Sequence, residues 1–119
     1  MHELSVVAGL FDILEEKLKE QKGSRVFYVK LKVGLFSGVV PELLRTAFDM
    51  YKKDTFAEDA ELDIEEVPYK VRCQNCGTQM IKDDFVLVCD NCGSTDLITL
   101  DGTEMFLERM EIEVPDQSS

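Results

Sequence analysis

The chain has 119 residues, four cysteines, one histidine and no tryptophan, and its 24 acidic and 13 basic residues give a formal net charge of −11. The length allows one domain, or one domain that carries a small insert. So acidic a surface repels phosphate backbones and anionic bilayers, which excludes nucleic acid and membranes as expected partners. No apolar run approaches the roughly 18–20 residues that span a bilayer. The first residues lack a signal-peptide pattern, so we expect a cytoplasmic protein.

The first predicted element is an amphipathic helix from about residue 3 to about residue 21. Its apolar residues recur at three- and four-residue steps, which places them on one helix face: Leu4, Val7, Phe11, Leu14 and Leu18. Gly23 follows as a residue that can cap and end the helix. We interpret the apolar face as core packing.

A strand and a second helix are predicted next. Residues 25–33 alternate between apolar and polar side chains, which predicts a half-buried strand. The expected inner face of this strand consists of Phe27, Val29, Leu31 and Val33. Pro41 suits the first turn of a helix that ends near residue 53. The buried face of that helix is expected to contain Leu44, Ala47, Phe48 and Tyr51.

The remaining pattern predicts the fold class, which is α+β. A strand containing Leu62 and Ile64 ends at Pro68, and a last strand over residues 103–114 places Phe106, Met110 and Ile112 on one face. Because strand, helix and strand follow one another, we expect parallel strands joined by a right-handed crossover. The prediction is two helices on a three-stranded mixed sheet, with an inserted zinc-ribbon-like module of β-hairpins. Residues 1–68 and 99–119 would form the discontinuous main domain, and residues 69–98 the insert.

All four cysteines lie in two C-x-x-C-G motifs that are separated by twelve residues. A tetrahedral metal needs four thiolates around one point, and each C-x-x-C turn supplies two. The glycine after each motif tolerates a positive φ, which lets backbone N–H groups turn toward the sulfurs. We expect hairpin strands at residues 78–81 and 85–88 to bring the motifs together. The pattern therefore predicts structural zinc bound by Cys73, Cys76, Cys89 and Cys92.

Two disulfides or a redox dithiol are alternative interpretations of the same cysteines. A cytoplasmic location disfavours structural disulfides, and a redox centre does not need two matched motifs. A rubredoxin-type iron site uses the same four thiolates and stays open. Four thiolates leave no free coordination position, so we expect the metal to hold the module together and to take no part in catalysis.

The single histidine, His2, follows Met1 directly. If Met1 keeps a free amine, that amine, the backbone nitrogens of His2 and Glu3 and the His2 Nδ1 atom can close five- and six-membered chelate rings. Nitrogen-rich, square-planar ligand sets of this kind suit Ni(II) and Cu(II). The alternative is a solvated histidine near the chain terminus, with Glu3 serving only as a favourable charge at a helix start.

These features together resemble the HypA family of hydrogenase and urease nickel-incorporation proteins. The resemblance covers nearly the whole chain and lies in Met1-His2-Glu3-Leu4-Ser5, Val33-Gly34, Ser37-Gly38-Val39, Pro41-Glu42-Leu43, Ala47-Phe48 and the two C-x-x-C-G motifs. It implies a metallochaperone that carries labile Ni(II) at His2, with backbone nitrogens of Met1 and Glu3, and structural Zn(II) at the four cysteines. It also implies a partner GTPase, HypB, delivery to the hydrogenase large subunit, and a link to urease accessory proteins.

Some sequence features distinguish this chain from particular relatives and from other functions. Some relatives carry histidines beside the zinc cysteines, where this chain has Gly77 and Gly93, so we expect no histidine-based pH switching of the zinc module. The sequence contains no G-x-x-x-x-G-K-[ST] loop, and its cysteines are committed to a metal, so we expect a carrier and not an enzyme. The alternatives are a zinc-ribbon adaptor or interaction protein without a nickel role, and a rubredoxin-like electron carrier.

Overall fold

The computed structural model describes residues 3–84 and 86–115. Its elements follow in the order α1 (Glu3–Glu20), β1 (Arg25–Gly34), α2 (Pro41–Tyr51), β2 (Glu61–Val67), β3 (Tyr69–Cys73), β4 (Gln79–Lys82), β5 (Leu97–Asp101) and β6 (Met105–Glu113). The strands form two three-stranded sheets, in the orders β2-β1-β6 and β4-β3-β5. The predicted α+β class is confirmed. Within the described ranges, no helix is both long enough and apolar enough to cross a bilayer.

The first sheet and the two helices enclose the main core. β1 pairs in parallel with β2 and antiparallel with β6, so the predicted mixed sheet is confirmed. Pro41 occupies the first turn of α2, as expected from its fixed φ. The ring of Phe11 on α1 lies 5.6 Å from that of Phe48 and 4.7 Å from that of Tyr51, both on α2. An aromatic contact thus joins the two helices that pack on the sheet.

A β-bulge at the start of β1 changes which side chains face the core. The register of β1 against β6 shifts between Val26 and Tyr28. A bulge adds one residue to a strand and inverts the inward and outward alternation beyond it. Val26 is therefore buried, and the predicted inner residue Phe27 is 45% exposed. The prediction for Val29 and the two later apolar positions of the strand is correct.

A second register shift affects β6. Arg109 pairs with Lys30, whereas the next pair along β1 joins Leu31 to Leu107, so Glu108 is the extra residue. Before this extra residue the odd-numbered side chains of β6 face the core, and after it the even-numbered ones do. Leu107 therefore packs against the core in place of Phe106. Phe106 is 48% exposed, so its predicted place on one face with the later apolar residues is wrong.

The second sheet differs from the predicted hairpin. β3 lies in its centre and pairs antiparallel with both β4 and β5. Residues 86–88 form no strand, so the predicted strand at 85–88 is wrong over these residues; Phe85 lies outside the described residues. The reason is that β3 forms hydrogen bonds with β4 on one side and with β5 on the other. Residues 86–88 therefore serve as the connection from β4 to the second cysteine motif. This sheet extends to Asp101, beyond residue 98, where the insert was predicted to end.

The two sheets are joined at a close backbone contact. The Phe36 N–H, just after β1, donates to the carbonyl of Gly102, which follows β5, at 2.9 Å. Gly102 has a φ of +97°, and a Cβ atom at this position would collide with the backbone of Pro68. The radius of gyration is 18.4 Å, against about 13–14 Å for a compact domain of this length. The molecule is therefore elongated.

Candidate metal centres

The two C-x-x-C-G motifs form the same backbone turn. The Gly77 N–H donates to the Cys73 carbonyl at 2.8 Å, and the Gly93 N–H donates to the Cys89 carbonyl at 2.9 Å. The two glycines have φ values of +79° and +77°, a region that L side chains rarely adopt. The predicted need for glycine after each motif is therefore confirmed by the geometry of both turns.

The four cysteine sulfurs converge on one point. All four Sγ atoms lie within 4.8 Å of one another. Cys73 and Cys92 bring their sulfurs to 3.6 Å, as do Cys76 and Cys89, so each close pair joins the two turns. A tetrahedral thiolate site with metal–sulfur bonds of about 2.3 Å has sulfurs about 3.8 Å apart, so this donor set fits a zinc-sized ion.

Hydrogen bonds stabilise the thiolate form of the two exposed cysteines. The Cys76 sulfur lies 3.2 Å from the Thr78 hydroxyl, which must be the donor once the cysteine is ionised. This contact, the Thr78 amide and the side chain of Asn91 lower the pKa of Cys76 to about 5. The Asn75 side chain and the Ser94 amide lower the pKa of Cys92. Deprotonated sulfurs are the metal-binding form, so both shifts favour metal binding near neutral pH.

A buried cation lies beside the second turn. The Lys82 ammonium, at the end of β4, donates to the Asp90 carboxylate at 2.7 Å. The Lys82 side chain is 7% exposed and that of Asp90 is 69% exposed. The Asp90 contact raises the pKa of Lys82, and the nearby Cys89 thiolate adds to the shift. Because four thiolates and a divalent ion carry a net charge of −2, this lysine offsets part of the charge of an occupied site.

The sequence analysis identified the four cysteines but not the polar groups around them. Asn75, Asn91 and Thr78 contact the sulfurs, and Lys82 ties the first turn's sheet to the second turn. One signal was available: both motifs have asparagine immediately before their second cysteine. The lysine gave no such signal, because only the folded chain shows that it is buried.

The predicted nickel ligands lie at the start of the chain. Glu3 is the first residue of α1. Met1 and His2 lie outside the described residues. An open groove of about 300 Å³ adjoins this end of α1 and is lined by Glu3, Leu4, Leu43, Thr46, Ala47 and Met50. Leu4 is 56% exposed there, so its predicted burial in the α1 stripe is wrong; α2 leaves this first turn open to solvent.

Comparison with known proteins places this arrangement in a class of metal-carrier proteins. The family described as hydrogenase/urease nickel incorporation, metallochaperone, hypA matches residues 1–112. The hydrogenase maturation factor HypA of Aquifex aeolicus is 38% identical over 114 residues, which cover 96% of this chain and 99% of that protein. The corresponding factor of Shewanella baltica strain OS185 is 35% identical over 113 residues, or 95% of this chain and 97% of that one.

A solved structure agrees with these sequence matches. The solution structure of the Ni metallochaperone HypA from Helicobacter pylori superimposes with a TM-score of 0.71 at 28% identity, and the match covers 97% of this chain and 100% of that one. The chain therefore belongs to the HypA family of hydrogenase maturation factors and nickel metallochaperones.

Proposed function

We propose that this protein carries Ni(II) as cargo to the hydrogenase large subunit during hydrogenase maturation, with a HypB-type GTPase as its partner. It acts as a cytoplasmic carrier without catalytic activity of its own. The observation that carries the proposal is membership of the HypA family over residues 1–112, which include the Met-His-Glu start. Urease accessory proteins are further candidate partners, because the family's description includes urease.

The proposed nickel ligands are Met1, His2 and Glu3. The amine of Met1, the His2 imidazole and the backbone nitrogens of His2 and Glu3 supply a nitrogen-rich set suited to Ni(II). Glu3 begins α1, and the first N–H groups of a helix have no acceptor within it. The Glu3 amide can therefore serve as a ligand without breaking a helical hydrogen bond. Two ionised backbone amides also neutralise the dication, which reduces its repulsion from the positive helix end.

We propose that zinc is the resident metal of the four-cysteine site. The sulfur spacing fits a closed four-thiolate site, which binds zinc and leaves no open position for chemistry. Bound zinc would cross-link the two turns. The buried residues of the surrounding sheet include only a few large apolar side chains, notably Tyr69 and Val71, so this sheet depends on such a cross-link.

We propose that the GTPase contacts the groove beside the start of α1. Leu4, Leu43 and Met50 line this groove and are 56%, 54% and 65% exposed. An exposed apolar cluster of this kind is typical of a protein-binding surface. Its position next to Glu3 would bring the partner close to the proposed cargo.

Nickel titration of the untagged protein tests the proposed cargo site. We expect wild type to bind one Ni(II) with the absorption spectrum of a diamagnetic, square-planar complex. The His2→Ala variant, and a variant with one residue added before Met1, should lose this spectrum and keep their zinc. Glu42→Gln is the matched control, because it alters a carboxylate in the first turn of α2 and should leave nickel binding unchanged. Unchanged affinity in both N-terminal variants would contradict the N-terminal site, and a wild type that binds no nickel would support an adaptor without a nickel role.

A further inference from the structure

The two cysteine turns contact each other through a matched pair of asparagines. The Asn75 side chain, in the first turn, donates its Nδ2 hydrogen to the Cys92 sulfur of the second turn at 3.5 Å. The Asn91 side chain, in the second turn, donates to the Cys76 sulfur of the first turn at 3.6 Å. Each carboxamide therefore contacts the opposite turn. The two contacts are equivalent, because both asparagines hold the same position in their motifs.

The side chain and the backbone N–H of each asparagine contact different sulfurs. In the second turn, the backbone N–H groups of Asn91 and Cys92 both donate to the Cys89 sulfur at 3.4 Å. The equivalent backbone amides of the first turn hydrogen-bond to Cys73. Cys73 and Cys89 are the buried pair, whereas the asparagine side chains reach the exposed pair. Each exposed sulfur thus receives a side-chain hydrogen bond from the opposite turn, in addition to the backbone N–H of Thr78 or Ser94 that follows its own motif.

We propose that Asn75 and Asn91 are positioning residues that brace the metal site, each holding the exposed thiolate of the opposite turn as a ligand. The inference rests on the proposed zinc occupancy of the four cysteines. Hydrogen bonds from neutral amides to a metal-bound thiolate withdraw electron density from the sulfur and restrict its movement. Without the brace, an exposed thiolate leaves the metal more readily and reacts faster with external reagents.

The rate of zinc transfer to a chromophoric chelator tests the brace in the full-length, zinc-loaded protein. We expect Asn75→Ala and Asn91→Ala to release zinc about 10- to 100-fold faster than wild type, as for other groups that orient metal ligands. Gln74→Ala is the matched control, because its amide lies in the same turn but donates to Asp96 at 3.2 Å. Its release rate should equal that of wild type. Equal rates in all variants, or an equal increase in the control, would overturn the brace.

Two further measurements separate a brace from a general effect on folding. Asn75→Asp and Asn91→Asp keep the side-chain shape and remove the donor, so they should release zinc as fast as the alanine variants or faster. In Co(II)-loaded protein, loss of a hydrogen bond to sulfur should move the sulfur-to-metal charge-transfer band to longer wavelength. A band that stays at the wild-type position in both aspartate variants would contradict the proposed contacts.

Alkylation mapped by mass spectrometry tests whether each asparagine protects the cysteine of the opposite turn. With iodoacetamide on zinc-loaded protein, Asn75→Ala should increase labelling of Cys92, and Asn91→Ala should increase labelling of Cys76. Increased labelling within the mutated turn instead would overturn the cross-turn assignment. If wild type binds no zinc, the proposed metal occupancy fails and the brace fails with it. If wild type binds zinc and the variants behave identically, only the brace fails.

Discussion

Phe36 and Tyr69 stack across the joint between the two sheets, with their ring centroids 4.3 Å apart and their planes inclined by 25°. Phe36 follows β1 of the first sheet, and Tyr69 is the first residue of β3 in the second. The Tyr69 hydroxyl also hydrogen-bonds with that of Thr99 on β5 at 2.8 Å. The aromatic pair therefore orients the cysteine-bearing sheet relative to the first sheet and the helices packed on it.

Removal of this ring contact should loosen the joint. We expect Phe36→Ala to increase the independent motion of the two sheets, because stacked rings contribute about 0.5–1.5 kcal/mol beyond the area they bury. Amide relaxation by NMR should then give different tumbling times for residues 3–67 and 69–101. Phe27→Ala is the control, since Phe27 is 45% exposed on β1. Equal tumbling times in the Phe36 variant would contradict this role.

Gly102 should be intolerant of a side chain. Its φ of +97° is strained for any other residue, and an added Cβ atom would meet the Pro68 backbone. We expect Gly102→Ala to reduce the free energy of unfolding by roughly 2–3 kcal/mol, measured by urea denaturation. Gly9 lies in α1, and a Cβ atom at this position would have no neighbouring atom within 4 Å. Gly9→Ala should therefore stabilise the protein by about 0.5–1 kcal/mol. Similar effects of the two substitutions would refute the argument.

The Lys82–Asp90 pair should respond unequally to loss of either partner. Asp90→Asn leaves a 7% exposed ammonium without its counter-charge, whereas Lys82→Met leaves Asp90, which is 69% exposed, in water. A buried unpaired charge is much less favourable than an exposed one. We therefore expect Asp90→Asn to lower the Tm of the zinc-loaded protein by roughly 4–8 °C and Lys82→Met to lower it less. Calorimetry decides the order, and the reverse order would contradict the argument from a buried unpaired charge.

Metal removal should unfold the second sheet selectively. We expect chelation, or Cys73→Ala, to abolish hydrogen-exchange protection in β3, β4 and β5, because few apolar side chains are buried there. Protection in β1 and α1 should persist, since the main core contains Val29, Leu14 and other fully buried residues. Retained protection of β3 after complete metal removal would mean that this sheet is stable without the cross-link.

Zinc retention should depend on pH through the thiols. Hydrogen bonds, first of all from Thr78, lower the pKa of Cys76 to about 5, well below the usual value of about 8.5 for an unfolded thiol. Because the folded pKa is lower, this stabilisation is present above the unfolded value and is lost as the pH falls through the folded value. We therefore expect zinc, followed by equilibrium dialysis, to be retained near neutral pH and released as the pH falls and protons compete for the sulfurs. Thr78→Ala should raise the pH of half-release, and an unchanged midpoint would argue against this role.

The sequence alone determined the features of this protein that depend on residues close together in the chain. A C-x-x-C-G turn is a local structure, so its spacing was enough to predict the four cysteine ligands and the need for glycine. Periodic apolar residues likewise predicted both helices and the parallel pairing of β1 with β2, because each pattern lies within a single element or its immediate connection.

Only the tertiary structure decided which distant groups meet. The two bulges exposed Phe27 and Phe106 because register depends on the partner strand, which the alternation within one strand does not specify. For the same reason β4 pairs with β3, and not with residues 86–88 in the predicted hairpin. The crossing of Asn75 and Asn91 to opposite turns required both turns to be placed in space, since hydrogen bonds between them depend on three-dimensional distance and not on sequence separation.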